Sequence, residues 1–167
     1  GGADETINAA STTLHRGIEA SLQRAWRFGQ QGQLSLAASW NWNDLRFQND
    51  PIWDDNRFAG QPEHRMALVA DLMTDSGFGA GFDLLHVPND MAVDHANTEF
   101  VDGYTLLSGR LRWEHPSGLH LFFEASNLLD ERYVPSVIVR SRTTAPIQAS
   151  RLPGPGRAYY AGLEMRW

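Results

Sequence analysis

Apolar and polar residues alternate along most of the chain with a period of two. In the last eleven residues, 157–167, one face carries Tyr159, Ala161, Leu163, Met165 and Trp167, and the other carries Tyr160, Gly162, Glu164 and Arg166. Six earlier segments alternate in the same way, namely 11–28, 33–47, 64–73, 78–86, 104–114 and 119–126. Because the side chains of a β-strand point alternately to its two faces, the sequence predicts seven strands.

The connections between these strands are of two kinds. Three are tight turns that contain glycine, at 29–32, 74–77 and 115–118. The other three are long, at 48–63, 87–103 and 130–156. Tight and long connections alternate strictly, so an antiparallel sheet would have all its tight turns at one end and all its long loops at the other.

This asymmetry is typical of a transmembrane β-barrel, which has short periplasmic turns and long extracellular loops. Period two alone fits a soluble sandwich or a lipocalin-like barrel equally well, with the apolar face turned inward. Two features favour the membrane barrel. The polar face carries charges and small residues, as a wet lumen requires, and several aromatic residues fall near strand ends, where membrane-interface girdles form. These aromatics are Trp26, Trp40, Trp42, Trp113, Tyr159 and Trp167.

Composition excludes several other classes of protein. No stretch approaches the ~20 apolar residues that a membrane helix needs, because charges interrupt every run. The net charge of -6 argues against nucleic-acid binding, which requires clustered cations. With no cysteine, disulfides and thiolate metal sites are impossible. Six Trp, four Tyr, eight Phe and 15 Gly instead favour strands and turns.

The odd number of predicted strands has a further implication. Bacterial single-chain barrels have an even number, with both ends on the periplasmic side. If Trp167 ends in the periplasm, Gly1 lies outside the cell, and we expect further strands before it. One more strand would complete a small barrel, and many more would make a large one. The opening residues 1–4 show no secretion signal.

Two motifs near the end of the chain carry a family resemblance. Residues 127–133, NLLDERY, resemble the NLxDxxY signature before the last loop of TonB-dependent receptors, and residues 155–163, PGRAYYAGL, are similar to the final strand of that family. Weaker similarities lie at 16–19, 60–64, 96–98 and 103–107. The resemblance covers nearly the whole chain, in the order expected for the C-terminal third of such a barrel.

The resemblance implies a transporter of the outer membrane. Members of the family have about 22 strands and a plugged lumen, and they import scarce nutrients with force transmitted by TonB. Residues 1–167 would then be the C-terminal part of the barrel, without the plug and the N-terminal strands. Implied partners are outer-membrane lipid, TonB through the missing plug region, and the barrel-assembly machinery through Trp167. We expect no enzymatic activity, no cofactor and no nucleic-acid partner.

The ligand is indicated only by class. The segment 133–139 followed by Pro-Gly-Arg resembles the ferric-citrate-like branch, so a ferric siderophore is the expected ligand. Cobalamin, an organic cofactor or a saccharide would suit the same scaffold. A different class of function, a complete small barrel with a structural or adhesive role, also remains open.

Candidate ligand-binding residues lie in the long connections. The last one carries three arginines without an intervening acid, which could attract an anionic chelate. In the others, Trp53 and its neighbours could stack on or hydrogen-bond a ligand. An ordinary solvated loop, or pairing of the arginines with lipopolysaccharide phosphates, is the plain alternative. The candidates are Trp53, Arg57, His95, Arg140, Arg142 and Arg151.

Metal binding and hydrolysis are weaker hypotheses. Asp90, Asp94, His95 and the preceding His86 offer oxygen and imidazole groups, but their spacing matches no known ligand pattern, so we expect no metal. His120 and Ser126 share a strand face but are separated by about 20 Å at the usual rise, beyond hydrogen-bond reach.

Overall fold

The structure is a computed structural model that describes residues 12–29, 31–140 and 151–166. Seven strands form one antiparallel sheet, and each pairs with the next of the seven along the chain. They are β1 Thr12–Arg27, β2 Gly32–Gln48, β3 His64–Thr74, β4 Phe78–Val87, β7 Tyr104–Glu114, β8 Leu119–Ser126 and β11 Ala158–Met165. The prediction of an all-β antiparallel sheet is confirmed, with strand bounds that agree to within about two residues.

Two of the long connections contain short ribbons that alternation did not reveal. In the second connection, β5 (Met91–Ala92) pairs with β6 (Phe100–Val101). In the third, β9 (Ser136–Val137) pairs with β10 (Arg151–Leu152). Two residues are too few to show a period. The described residues include no helix that is long and apolar enough to cross a membrane.

Glycine sets the geometry of the tight turns. Gly77 and Gly118 have φ values of 84° and 88°, and each donates its N–H to the carbonyl three residues earlier, at 3.0 Å in both turns. A β-carbon on either glycine would overlap the carbonyl oxygen of the neighbouring strand, at Glu114 or Arg166. Only glycine fits this left-handed, closely packed position, which explains the recurrence of Ser-Gly in both turns.

The register gives the sheet one apolar and one polar face. On the apolar face, successive cross-strand partners are Leu22, Ala38, Leu68, Leu84 and Leu107. On the polar face, an equivalent row consists of Ser35, Asp71, Gly81, Arg110 and Glu124. Leu22 and Leu163 on the apolar face are 72% exposed, so no other part of the described chain covers the face at these positions.

An ion-pair network organises the polar face. Arg110 binds Asp71 at 2.6 Å and also pairs with Asp83. A β-carbon on Gly81 would lie 2.7 Å from the Asp71 carboxylate and 2.8 Å from Nε of Arg110. The small glycine therefore leaves the space in which the guanidinium lies flat against the sheet.

The first two strands are longer than the others. β2 pairs with β3 only from Gly32 to Trp42. Beyond the end of β3, its last residues pair with β1 on one side and with the first long connection on the other, where Arg46 lies opposite Arg57. Beyond Trp42 the apolar face becomes charged, at Arg16, Asp44 and Arg46. The exposed side chain of Arg24 also lies on this face and interrupts its apolar pattern.

The described part of the chain has its buried hydrophobic cluster under the long connections, away from the sheet faces. Met91, Val93 and Val101 are buried there, and Val134 and Val137 pack against them. Their burial ties the second and third connections together, so these segments form a folded unit at one end of the sheet.

Candidate ligand-binding site in the long loops

All three long connections meet at Gly60. Its N–H donates to the carbonyl of Ala92 at 2.8 Å, and a β-carbon built on it would lie 2.9 Å from Cγ2 of Val139. Its φ of 77° also favours glycine. Gly60 begins one of the weaker family motifs. The close approach of three loops at this position explains why the motif has a glycine there.

An aromatic cluster, composed of Phe47, Trp53, Phe58 and His95, lies at the long-loop end. The ring centroids of Phe47 and Phe58 are 4.7 Å apart, and the rings of Phe47 and His95 are nearly perpendicular with centroids 5.2 Å apart. Trp53 lies 6.3 Å from His95. Phe47 belongs to the polar face of β2 by its register, so the cluster stands at the end of the predicted lumen. The structure thus brings the predicted residues Trp53 and His95 together.

His95 links the first connection to the second and the third. Its Nδ1 accepts the N–H of Ala59 at 3.4 Å, its carbonyl accepts from Asn56 Nδ2 at 3.0 Å, and its N–H donates to the Arg140 carbonyl at 3.0 Å. Burial lowers the pKa of His95, and the nearby Asp94 carboxylate opposes this shift. The neutral imidazole is therefore the form that fits the folded loops.

Asn97 is a structural residue that sequence reasoning missed. Its side chain accepts the N–H of Arg57 and donates to the carbonyl of Arg57, both at 2.9 Å, so it pairs with the first connection like a short piece of strand. Asn97 has a φ of 51°, which asparagine tolerates better than most residues. The Ala-Asn-Thr motif at 96–98 was the sequence signal that could have identified Asn97.

The acids considered as metal ligands have other roles. Asp94 is fully buried and accepts the N–H and hydroxyl of Thr98, at 2.9 and 2.6 Å. Asp90 accepts the N–H of Gly103 at 3.3 Å, and His86 lies 2.8 Å from the Thr105 hydroxyl. Across residues 12–29, 31–140 and 151–166, no group of three or more such side chains could hold a metal ion.

The predicted arginines have different surroundings. Arg140 is exposed beside His95, whereas Arg57 lies opposite Arg46 and pairs with Glu63 at 2.7 Å. Arg151 donates to the Phe100 carbonyl at 2.9 Å and lies 3.9 Å from Glu99, while its Nε is buried without a partner among the described residues. Arg142 lies outside the described residues. The exposed Arg140 is therefore joined through its backbone carbonyl to His95 of the aromatic cluster.

The NLLDERY motif closes the base of the third connection. Asn127, buried with a φ of 49°, accepts the Glu131 N–H at 2.9 Å and donates to the Glu131 and Pro155 carbonyls. Asp130 pairs with Arg157 at 3.2 Å. These contacts join the motif to the Pro-Gly-Arg segment, so the two halves of the family resemblance form one structural unit.

The predicted interface aromatics occupy one face of the sheet. By register, Trp26, Trp40, Trp42, Trp113 and Tyr159 all lie on the apolar face. Trp40 and Trp42 stand toward the long loops, and Trp26 and Trp113 toward the tight turns. Trp167 lies outside the described residues. Two levels of tryptophan on one apolar face are the arrangement expected of interface girdles.

Comparison with known proteins assigns the family. The sequence profile described as "TonB dependent receptor-like, beta-barrel" matches residues 1–128. The chain therefore belongs to the TonB-dependent receptor β-barrel family, as the motifs indicated. No curated protein matches the chain significantly.

Solved structures show the same fold. The ferric yersiniabactin uptake receptor FyuA from Yersinia pestis superimposes with a TM-score of 0.66 at 19% identity, covering 88% of this chain and 22% of FyuA. The ferric-catecholate import receptor Fiu from K12 E. coli gives 0.59 at 19% identity, covering 80% of this chain and 20% of Fiu. BauA, the ferric preacinetobactin receptor from Acinetobacter baumannii, gives 0.60 at 15% identity, covering 91% and 27%. The chain thus spans about a fifth to a quarter of these receptors.

Proposed function

We propose that this chain helps to select and pass a ferric siderophore, or a similar iron chelate, across the bacterial outer membrane. The observation that carries the proposal is the convergence of three long loops on the aromatic cluster, at the end of a charged sheet face. Membership of the TonB-dependent receptor family supports it, and so do structural neighbours that are named as receptors for ferric chelates.

The chemistry of the loop site suits an anionic, partly aromatic ligand. Trp53 and His95 offer ring surfaces, and the exposed Arg140, whose backbone carbonyl accepts the His95 N–H, carries a planar donor that matches carboxylate or catecholate oxygens. Arg142 and Arg151 belong to the same connection and would add positive potential. The one hydrolytic pair that the sequence offered, His120 and Ser126, stands at opposite ends of β8.

The remainder of the transport apparatus is proposed to lie outside this chain. In this proposal residues 1–167 form the C-terminal part of a barrel of about 22 strands, whose plug and earlier strands contact TonB. The limited coverage of FyuA, Fiu and BauA supports this division. The apolar face meets lipid, the long loops lie outside the cell, and Trp167 serves barrel assembly.

Ligand binding by the full-length protein tests the proposal. Titration with ferric siderophores should quench tryptophan fluorescence and saturate. Trp53→Ala and Arg140→Ala should each weaken binding about tenfold or more, because each removes a ring or charged contact. Trp113→Ala, at the tight-turn end, is the matched control and should leave the affinity unchanged. Equal affinities in all variants, or saturable binding of cobalamin alone, would refute the assignment.

A further inference from the structure

A seam separates the first long connection from the other two. On one side, the first connection pairs with the long-loop end of β2, where Phe58 donates its N–H to the Leu45 carbonyl at 2.8 Å. On the other side, the second and third connections share the buried apolar cluster of Met91, Val93 and Val101. Two folded segments therefore meet where residues 56–60 contact residues 92–97, and we call this contact the loop seam.

His95 lies in the loop seam and binds the first connection across it. Its Nδ1 accepts the N–H of Ala59 at 3.4 Å, and its carbonyl accepts from Asn56 Nδ2 at 3.0 Å. Its ring also packs against the other rings of the aromatic cluster. The hydrogen bonds that Gly60 and Asn97 make across the seam come from backbone and amide groups, which do not titrate. The His95 ring is thus a seam contact whose charge changes near neutral pH.

The contact with Ala59 requires a neutral His95 ring. Nδ1 can accept this N–H only when the ring hydrogen is on Nε2, whereas a protonated ring carries a hydrogen on both nitrogens. Two donors would then face each other. Ala59 is buried, with 5% of its surface exposed, so its N–H would lose its partner without gaining water. Protonation of His95 therefore weakens the loop seam.

The charged groups around His95 do not cancel this effect. The Asp94 carboxylate favours a protonated ring, but burial has the larger influence and lowers the pKa of His95. The closed seam is therefore favoured above pH 6.5, and it weakens as the pH falls through the folded-state pKa of His95. Other charged or titratable groups that adjoin the seam are Arg57 with Glu63 on the first connection, Arg140 on the third and His15 on β1, which contacts Phe58.

We propose that the loop seam is a pH-dependent latch, which holds the iron chelate at neutral pH and opens to release it in mildly acidic surroundings. The inference rests on the proposed function and adds a regulation to the same site. Trp53 belongs to the first connection and Arg140 to the third, so opening of the seam separates the ring contact from the charged contact. The second and third connections stay together, because the apolar cluster between them contains no titratable side chain.

Distances between spin labels in the full-length protein test the latch without any ligand. The labels are attached to Ile52→Cys and Ile138→Cys, which are exposed on the two sides of the seam. Between about pH 7.5 and about pH 5, where histidine titrates, this distance should lengthen and its distribution should broaden. The control pair, Asp102→Cys with Ile138→Cys, lies within the second and third connections and should not change. His95→Gln cannot take up a proton and should keep the neutral distance at both pH values, whereas His15→Gln should respond as the parent protein does.

Dissociation of bound iron chelates tests the release. Ferric citrate and a ferric tris-catecholate are the probes. At about pH 5 the chelate should dissociate about fivefold or more faster from the parent protein than from His95→Gln, and at neutral pH the two rates should be equal. Because both proteins are compared at the same pH, changes in the chelate itself cancel.

Three outcomes overturn the latch: a seam distance that is independent of pH, a change that persists in His95→Gln, or equal dissociation rates at acidic pH. If His95→Gln is already open at neutral pH, the parent protein decides, because its midpoint of opening must equal the midpoint of the His95 ring measured by NMR. A different midpoint refutes the latch. If neither chelate binds at neutral pH although the labels report a seam that opens with acid, the proposed function and the release of chelate fall, and the pH-dependent opening stands.

Discussion

At the scale of single residues, hydrogen bonding explains positions that composition could not. Asn127 and Asn97 both have positive φ, and both use their amides to join backbone segments that are distant in sequence. A motif shows that an asparagine recurs but not which carbonyls it reaches. Sequence reasoning therefore found Asn127 through its family motif and did not assign Asn97 a role.

Asn127 should be sensitive to substitution. Asn127→Ala removes three hydrogen bonds at a buried site. It also leaves at φ 49° a side chain that has no polar group to stabilise this backbone conformation. We expect a loss of about 2–4 kcal/mol in the free energy of unfolding, measured by urea unfolding of the full-length protein in detergent. Asn49→Ala, at an exposed position with a similar φ of 50°, is the control for backbone strain. Equal losses would show that the side-chain bonds contribute nothing.

His95 should make the loop site sensitive to pH. Burial lowers its pKa below 6.5, so the folded loops favour the neutral ring. The contribution of the neutral His95 ring to the stability of the folded loops is therefore complete above pH 6.5, and it is lost as the pH falls through the folded-state pKa of His95. Protonation would also place a hydrogen on Nδ1, against the N–H of Ala59.

The measurement is an NMR titration of the His95 ring with Trp53 fluorescence recorded in parallel. We expect a midpoint below 6.5 and a fluorescence change with the same midpoint. A short unstructured peptide that contains one histidine serves as the reference. A His95 midpoint at or above that of the peptide would contradict the expectation.

At the scale of strands, the sequence predicted the sheet well because the period-two pattern is local. The register between strands is not a local property, and it determines how deep each residue lies in the membrane. Leu163 pairs with Leu121, which faces Trp113, so all three lie at the tight-turn level. The charged upper ends of β1 and β2 also depend on where β3 stops, which no single strand pattern reveals. Arg24 lies between the tight-turn level and the charged upper ends of β1 and β2. Its long side chain can carry the guanidinium toward a membrane interface.

Arginine substitutions should report this depth. Leu84, on the apolar face between the two tryptophan levels, is the central position. Leu84→Arg should cost about 2–4 kcal/mol in the free energy of unfolding in bilayers, and Leu163→Arg, near the interface, about 0–1 kcal/mol. Ser39→Arg on the polar face of β2 should have little effect and serves as the control. A cost at Ser39 equal to that at Leu84 would contradict the assignment of faces.

At the scale of the whole molecule, the alternation of connections predicts opposite accessibility for the two ends of the sheet. The chain has no cysteine, so single cysteines can be introduced without a native background from this region. Ile52→Cys in the first long connection and Ser117→Cys in a tight turn are both exposed. In intact cells, an impermeant thiol reagent should label only Ile52→Cys in the full-length protein. Labelling of Ser117→Cys alone would invert the topology.

The sheet itself predicts how the isolated 167-residue chain behaves. Among the described strands, β1 and β11 each pair with a single neighbour, so both edges present unpaired backbone groups. In hydrocarbon each such group costs several kcal/mol, and in water the apolar face would stay exposed. Refolding this chain alone into detergent or bilayers should therefore give aggregates, or oligomers closed by pairing between edges. Light scattering gives the mass, and heat-modifiable migration on a gel reports barrel closure. A monomeric mass together with heat-modifiable migration would show that the chain closes by itself, which would favour a small structural or adhesive barrel over part of a larger transporter.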